Sequence, residues 1–135
     1  MPNIAIARRW FEEVWNQRRA ETIDELVTAD SLCFTDTGVI RGPDQFREQM
    51  YLPFISAFPD LHVNVEDAIG QGEKVVVRWT ATGSHSGSGL GFAGTGRPAL
   101  FRGLTWIEIH NGKFGQGWQS SNIPEVIRGL ASPGG

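Results

Sequence analysis

The spacing of apolar residues changes once along this chain, and that change restricts the fold more than any other feature. Up to Phe58 they recur every three or four positions, and beyond Leu61 every second. Ile6, Trp10 and Val14, joined by Phe11 and Trp15, put one apolar stripe on a helix over 3–17, with Asn3 as its cap. A short helix over 20–28 presents Ile23, Leu26 and Val27 on one face, and a brief strand over 32–35 runs into the turn Asp36-Thr37-Gly38. Gly42-Pro43-Asp44 opens a third helix carrying Phe46, Met50, Phe54 and Phe58, with a kink at Pro53. Strands then follow: Leu61, Val63 and Val65, a turn at Gly70-Gln71-Gly72, and Val75, Val77, Trp79 and Ala81. A long strand over 99–110, the hairpin signal Asn111-Gly112, a return over 113–121 and a last helix over 124–130 complete the chain, with 130–135 as a frayed tail. Helices first and strands afterwards predict an α+β fold. A curved, mostly antiparallel sheet would have helices packed on one face and a pocket at its open end, in a single domain spanning 1–135.

Composition removes several function classes. The 135 residues carry a net charge of −3 with only 12 Lys and Arg, a poor footprint for a nucleic-acid partner. The one cysteine, Cys33, closes no intrachain disulfide and builds no multi-cysteine zinc site. Three isolated histidines, His62, His85 and His110, give no metal-ligand spacing. No apolar run is long enough to span a bilayer and residues 1–20 lack a signal-peptide layout, so a soluble cytoplasmic protein without a membrane partner is expected. The glycine-rich segment 83–98 contains Gly87-Ser88-Gly89-Leu90-Gly91, superficially a phosphate cradle. It precedes a strand and has no lysine in the phosphate-loop position, so it reads as a mobile lid with Leu90 and Phe92 as ligand contacts.

Strand parity sorts the candidate site. Trp79, Phe101 and Trp118 fall on the helix-facing side, where aromatic walls suit a flat polycyclic ligand, and Thr105 offers a hydroxyl on the same face. Gln119 points the other way in a regular strand and inward if a bulge intervenes. Asp67 shares the parity of Val63 and Val65 and is expected to point inward. His85 continues the parity of Trp79 and Ala81 to the pocket rim, where an imidazole would shuttle protons. On the opposite face Trp106 stands among Arg78, Thr80, Thr82, Arg102, Glu108 and His110. A ring that large predicts a homodimer through this face.

The run Phe58-Pro59-Asp60-Leu61-His62-Val63, then Val65-Glu66-Asp67, Val75-Val76-Val77-Arg78-Trp79-Thr80 and Gly83-Ser84-His85-Ser86-Gly87, resembles the SnoaL-like polyketide cyclase family. Arg41-Gly42-Pro43, Thr95-Gly96-Arg97, Arg102-Gly103, Asn111-Gly112-Lys113 and Trp118 fall in the matching order, so the likeness runs from Ala7 to Leu130. The resemblance implies the cone-shaped α+β barrel of the nuclear transport factor 2-like superfamily. It also implies an enzyme of antibiotic biosynthesis that uses no cofactor and closes a ring of an aromatic polyketide by intramolecular aldol condensation. That chemistry needs a base beside a carbonyl and an acid at the acceptor oxygen. Family members usually carry a carboxylate four residues after the tryptophan of the last strand, where this chain has Asn122. An amide is no general base, although it can donate to an oxyanion. Asp36, where the family often has a polar pair, and His85 are therefore the expected proton-transfer groups, with Asn122 orienting the substrate carbonyl. The departure at Asn122 also keeps open polyketide hydroxylation, epoxide hydrolysis, isomerisation, or a non-catalytic ligand-binding dimeric module.

Overall fold

The computed structural model describes residues 2–132. Helix α1 (Asn3–Trp10) continues through a π-helical turn, Phe11–Asn16, and α2 (Glu21–Leu26) follows. Strands β1 (Val27–Thr35) and β2 (Gly38–Arg41) form a hairpin, and α3 (Gly42–Phe46), a π-helical turn (Arg47–Tyr51) and α4 (Leu52–Ala57) make one helical stretch. Strands β3 (His62–Gln71), β4 (Lys74–Ser84), β5 (Pro98–His110) and β6 (Lys113–Ser121) precede α5 (Ile123–Ala131). The six strands form one curved, unclosed sheet in the order β2-β1-β6-β5-β4-β3. All neighbours are antiparallel except β1 and β6, which run parallel. The α+β cone expected from the sequence is therefore present. Among the described residues no helix is long and apolar enough to cross a membrane.

The helices bury the stripe that the spacing marked. Ile6, Trp10, Phe11, Val14 and Trp15 all face the core against Val75, Val77, Trp79 and Phe101 of the sheet. Burying each such side chain contributes about 1.5–3 kcal/mol relative to leaving it in water. Asn16 fixes the end of this helical stretch to β3: its Nδ2 donates to the Val63 carbonyl at 2.8 Å and its Oδ1 accepts the Val63 N–H at 2.7 Å. Asn3 does not cap α1; it is the first helical residue and donates to the Gly72 carbonyl at 3.0 Å. The irregularity expected at Pro53 takes the form of the π-helical turn that ends just before it. Proline offers no N–H to the carbonyl four residues back, so the α-helical ladder is already broken there. Strand β1 begins at Val27, five residues before the expected Leu32, and cuts short the helix expected to reach Thr28. Leu130, expected in a frayed tail, is buried, and Arg97 donates to its carbonyl; residues 133–135 of that tail lie outside the described residues.

Two bulges decide which side chains face the helices. In β3, Val65 pairs with Trp79 but Asp67 pairs with Arg78, so an extra residue sits at Glu66 and parity reverses. Ala68 turns inward and Asp67, expected inside, is exposed. In β6, Phe114 pairs with Ile109 and Gly117 with Ile107, leaving Gly115 and Gln116 opposite Glu108 alone. Phe114 packs on the core, but beyond the bulge Gly117 and Gln119 take the inner face and Trp118 the outer one.

Candidate active site

Between the sheet and the helices lies a chamber of about 120 Å³. Trp79, Phe101, Ile107 and Phe114 line it from the sheet, Trp10, Phe11 and Trp15 from the first helical stretch, and Phe46, Met50 and Phe54 from the second. The walls are mutually braced: the Trp10 ring meets Phe46 at 4.9 Å and Phe114 at 5.1 Å, and Phe54 meets Phe101 at 5.9 Å. Trp79 reaches across β5 because its partner there is Gly103, where a Cβ would lie 2.5 Å from the indole ring. Trp79 and Phe101 thus stand where strand parity placed them, and both line the chamber.

The chamber adjoins a second cavity of about 350 Å³, a vestibule that shares Ile40, Met50, Phe54, Gln119 and Ile123 with it. Thr35, Asp36, Thr37, Gln49, Leu90 and Pro124 complete the vestibule wall. Asp36 is the one carboxylate among the described residues lining either cavity. Its oxygens accept the Ser121 N–H at 3.1 Å and the Ser121 hydroxyl at 2.7 Å, which hold the carboxylate at the β1–β2 turn. Cys33 also lines the chamber, but burial pushes its thiol up to about 11, so it stays neutral and a poor nucleophile near neutral pH.

A hydrogen-bond chain enters the chamber from the sheet. Trp79 Nε1 donates to Thr105 Oγ1 at 2.9 Å, and that hydroxyl donates to Gln119 Oε1 at 3.0 Å. Thr105, expected as a direct ligand contact, therefore stands one layer behind Gln119 and lines neither cavity. Gln119 is the polar group that a regular strand would have hidden on the other face. The adjacent glycines Gly115 and Gly117 are the sequence signal for the bulge that turns it inward.

Other candidates sit elsewhere. His85 is not at the rim: it is fully buried, its ring against Phe58 at 5.6 Å and Phe92 at 5.0 Å, and it lines neither cavity. Its Nδ1 accepts the Thr95 N–H at 3.2 Å and bonds the Thr95 hydroxyl at 3.0 Å, so the imidazole braces the glycine-rich loop. The loop itself is docked. The Ser86 and Gly87 N–H groups both donate to the Ala57 carbonyl, and a Cβ on Gly87 would lie 1.8 Å from the Ser56 carbonyl oxygen. Leu90 reaches the vestibule, whereas Phe92 packs on His85 and lines no cavity. Asn122 is committed to β5, accepting the Arg102 N–H at 2.8 Å and donating to the Leu100 carbonyl at 3.3 Å. Trp118 stacks on Phe34 at 5.5 Å on the outer face, directly across the ladder from Trp106.

An aromatic chamber between a curved sheet and helices, opening on a vestibule with one fixed carboxylate, defines a small-molecule pocket protein of the cone-shaped α+β class. The profile of the SnoaL-like polyketide cyclases matches residues 5–128, and the chain belongs to that family. Solved structures agree on the fold. A candidate SnoaL-like polyketide cyclase from Jannaschia sp. CCS1 is 22% identical, with 97% of this chain and 92% of that one covered and a TM-score of 0.85. IdmH, a candidate polyketide cyclase from Streptomyces antibioticus, is 23% identical over 95% of this chain and 97% of its own, with a TM-score of 0.79. AclR, a candidate hydroxylase from Streptomyces galilaeus, is 21% identical over 96% and 81%, with a TM-score of 0.80. No curated protein sequence matches the chain.

Proposed function

We propose that this chain is a cytoplasmic polyketide cyclase-type enzyme acting on an aromatic polyketide or a similar polycyclic ketone, with Asp36 as the base. The observation that carries this reading is the junction of an aromatic chamber with a vestibule whose walls hold one carboxylate. A single aromatic ring of the substrate would stand between the chamber's aromatic walls, where stacking adds roughly 0.5–1.5 kcal/mol beyond area burial. The substrate's reacting arm extends into the vestibule. Asp36 takes a proton next to one carbonyl, the enolate carbon attacks a second carbonyl to form the new C–C bond, and the protonated Asp36 returns its proton to the resulting alkoxide, which restores the carboxylate. The two Ser121 donors keep the carboxylate oriented throughout. Acid–base chemistry of this kind calls on no cofactor.

A second reading draws on Asn122. Where relatives usually carry a carboxylate, this chain has an amide spent on the backbone of β5, which favours a diverged reaction on the same fold such as polyketide hydroxylation. Assay against a linear poly-β-ketone bearing an aromatic ring tests both readings. Ring closure without additions supports the first; product formation only with oxygen and a reductase supports the second. Absence of turnover under either condition overturns the enzyme assignment in favour of a ligand-binding module.

We also propose a homodimer through the outer sheet face. Leu104, Trp106 and Trp118 are exposed there, with Trp106 and Trp118 paired across the ladder.

A further inference from the structure

The hydrogen-bond chain from Trp79 to Gln119 has a fixed direction. An indole nitrogen only donates, so the Thr105 oxygen must accept from it, at 2.9 Å in a buried position. The single proton of the hydroxyl then goes to Gln119 Oε1 at 3.0 Å. That uses the carbonyl end of the Gln119 amide and holds its –NH₂ end away from Thr105. Among the described residues Gln119 Nε2 makes no hydrogen bond, and the residue lines both the chamber and the vestibule. The other polar groups of the chamber are not equivalent. The Ser31 hydroxyl is spent on the Phe114 carbonyl, the Cys33 thiol is a weak donor, and Gln116 is exposed with no side-chain bond to orient it.

We infer that Gln119 is a donor recognition point at the chamber mouth, selecting ligands that present an acceptor oxygen there, such as a ketone, quinone or enolate, and rejecting those that present only an N–H donor. Thr105 and Trp79 act as positioning residues that set its polarity. The inference rests on the reading that a flat ring occupies the chamber, and it adds which chemical group of that ring must meet the wall. Gln119 is half-buried and its –NH₂ group is open to water in the free protein, so a ligand that covers it without offering an acceptor leaves that donor unpaired. Conversely, a ligand N–H would face the amide's own N–H groups. During reaction the same donors would meet the oxygen on which enolate charge builds, without having to reorient.

Calorimetry on the full chain with three small probes tests this directly. α-Tetralone carries an acceptor, tetralin has the same bicyclic frame without one, and indole offers a donor only. The wild type should bind α-tetralone roughly tenfold more tightly than tetralin, with indole no better than tetralin. Gln119→Leu should abolish that ratio while tetralin binding persists. Gln119→Glu should move the preference to indole, because a carboxylate accepts where the amide donated. Thr105→Val should leave the protein able to bind tetralin but collapse the ratio, since an amide freed from the hydroxyl can turn over; a role confined to packing would not move it. An unchanged ratio in Gln119→Leu overturns the inference, as does failure of α-tetralone to bind the wild type. Turnover data separate this from the proposed function. A wild type that cyclises a polyketide with Gln119→Leu equally active keeps the enzyme and removes the donor. Gln119-dependent selectivity without turnover of any ketone keeps the donor and removes the enzyme.

Discussion

Asp36 Oδ2 lies 2.7 Å from the Ser121 hydroxyl and 3.1 Å from the Ser121 backbone nitrogen, joining the β1–β2 turn to the end of β6. A turn aspartate with free rotation would spend little time in any one orientation. Here two donors from the neighbouring strand end hold the carboxylate at the vestibule wall. Asp36→Asn should lower kcat/KM by roughly 10²–10⁴-fold, the usual contribution of a general base, with little change in melting temperature. Ser121→Ala keeps the backbone donor and should cost about tenfold or less. Steady-state kinetics on any ketone that the wild type cyclises makes the comparison. Full activity in Asp36→Asn would move the base elsewhere.

The docked state of the glycine-rich loop makes a different demand on mutagenesis. At Gly87 and Gly89 an added Cβ would fall 1.8 Å from the Ser56 oxygen and 2.2 Å from the Pro53 oxygen, both backbone atoms that cannot swing aside. Gly87→Ala and Gly89→Ala should each destabilise the protein by about 1–3 kcal/mol. Hydrogen exchange should rise at Ser86 and Gly87, whose N–H groups bond the Ala57 carbonyl. A loop that moved freely as a lid would show neither effect, so chemical denaturation and exchange on these variants decide the matter.

The large features were legible because each depends on local pattern. The shift from helical to alternating spacing gave the α+β order, and Val75 to Ala81 pointed Trp79 correctly because β4 keeps its parity to Ala81. What failed was parity carried through a bulge. Asp67 and Trp118 each lie just beyond one, and a single extra residue sends every later side chain to the other face. Gln119 was hidden by the same event. His85 failed for another reason: its strand parity is inward, but burial there depends on how residues 86–97 fold back onto α4, a long-range contact with no signature in local spacing. Asn122 was legible as a departure from the family pattern but not as a clamp on β5, which only the strand pairing reveals.

Asp60 provides a pH-dependent probe of where that loop begins. Its carboxylate accepts the Ser84 N–H at 2.8 Å, and this bond lowers its pKa below the ordinary value near 3.8. A carboxyl with a depressed folded pKa stabilises the protein above its unfolded value and loses that contribution as pH falls through the folded one. The stability gap between wild type and Asp60→Asn should therefore be constant from neutral pH down to about pH 4–5 and close below it. Urea titrations at a series of pH values read this gap. A gap that stays open at the lowest pH would mean that Asp60 acts through packing and not through its charge.

On the outer face, Trp106 and Trp118 remain 40% and 41% exposed although each has a strand neighbour to lean on. Phe34 stacks on Trp118, Lys74 Nζ stands 5.9 Å over the Trp106 ring, and Leu100 and Leu104 extend the same face along β5. Single exposed apolar residues need no explanation, but a contiguous aromatic patch on a sheet usually marks a contact surface. A second copy is the proposed occupant, because one face meeting its own copy about a two-fold axis would put aromatic groups against aromatic groups, with Arg78 beside Leu104 and Arg102 between Leu100 and Leu104 as the polar contacts. Sedimentation at tens of micromolar, which is roughly the range that populates even a weak dimer, should give twice the chain mass. Trp106→Arg should return the monomer without lowering the melting temperature of the dilute protein, since the ring supports no core contact. A wild-type monomer at that concentration removes the dimer, and a Trp106→Arg variant that still dimerises moves the interface to another face.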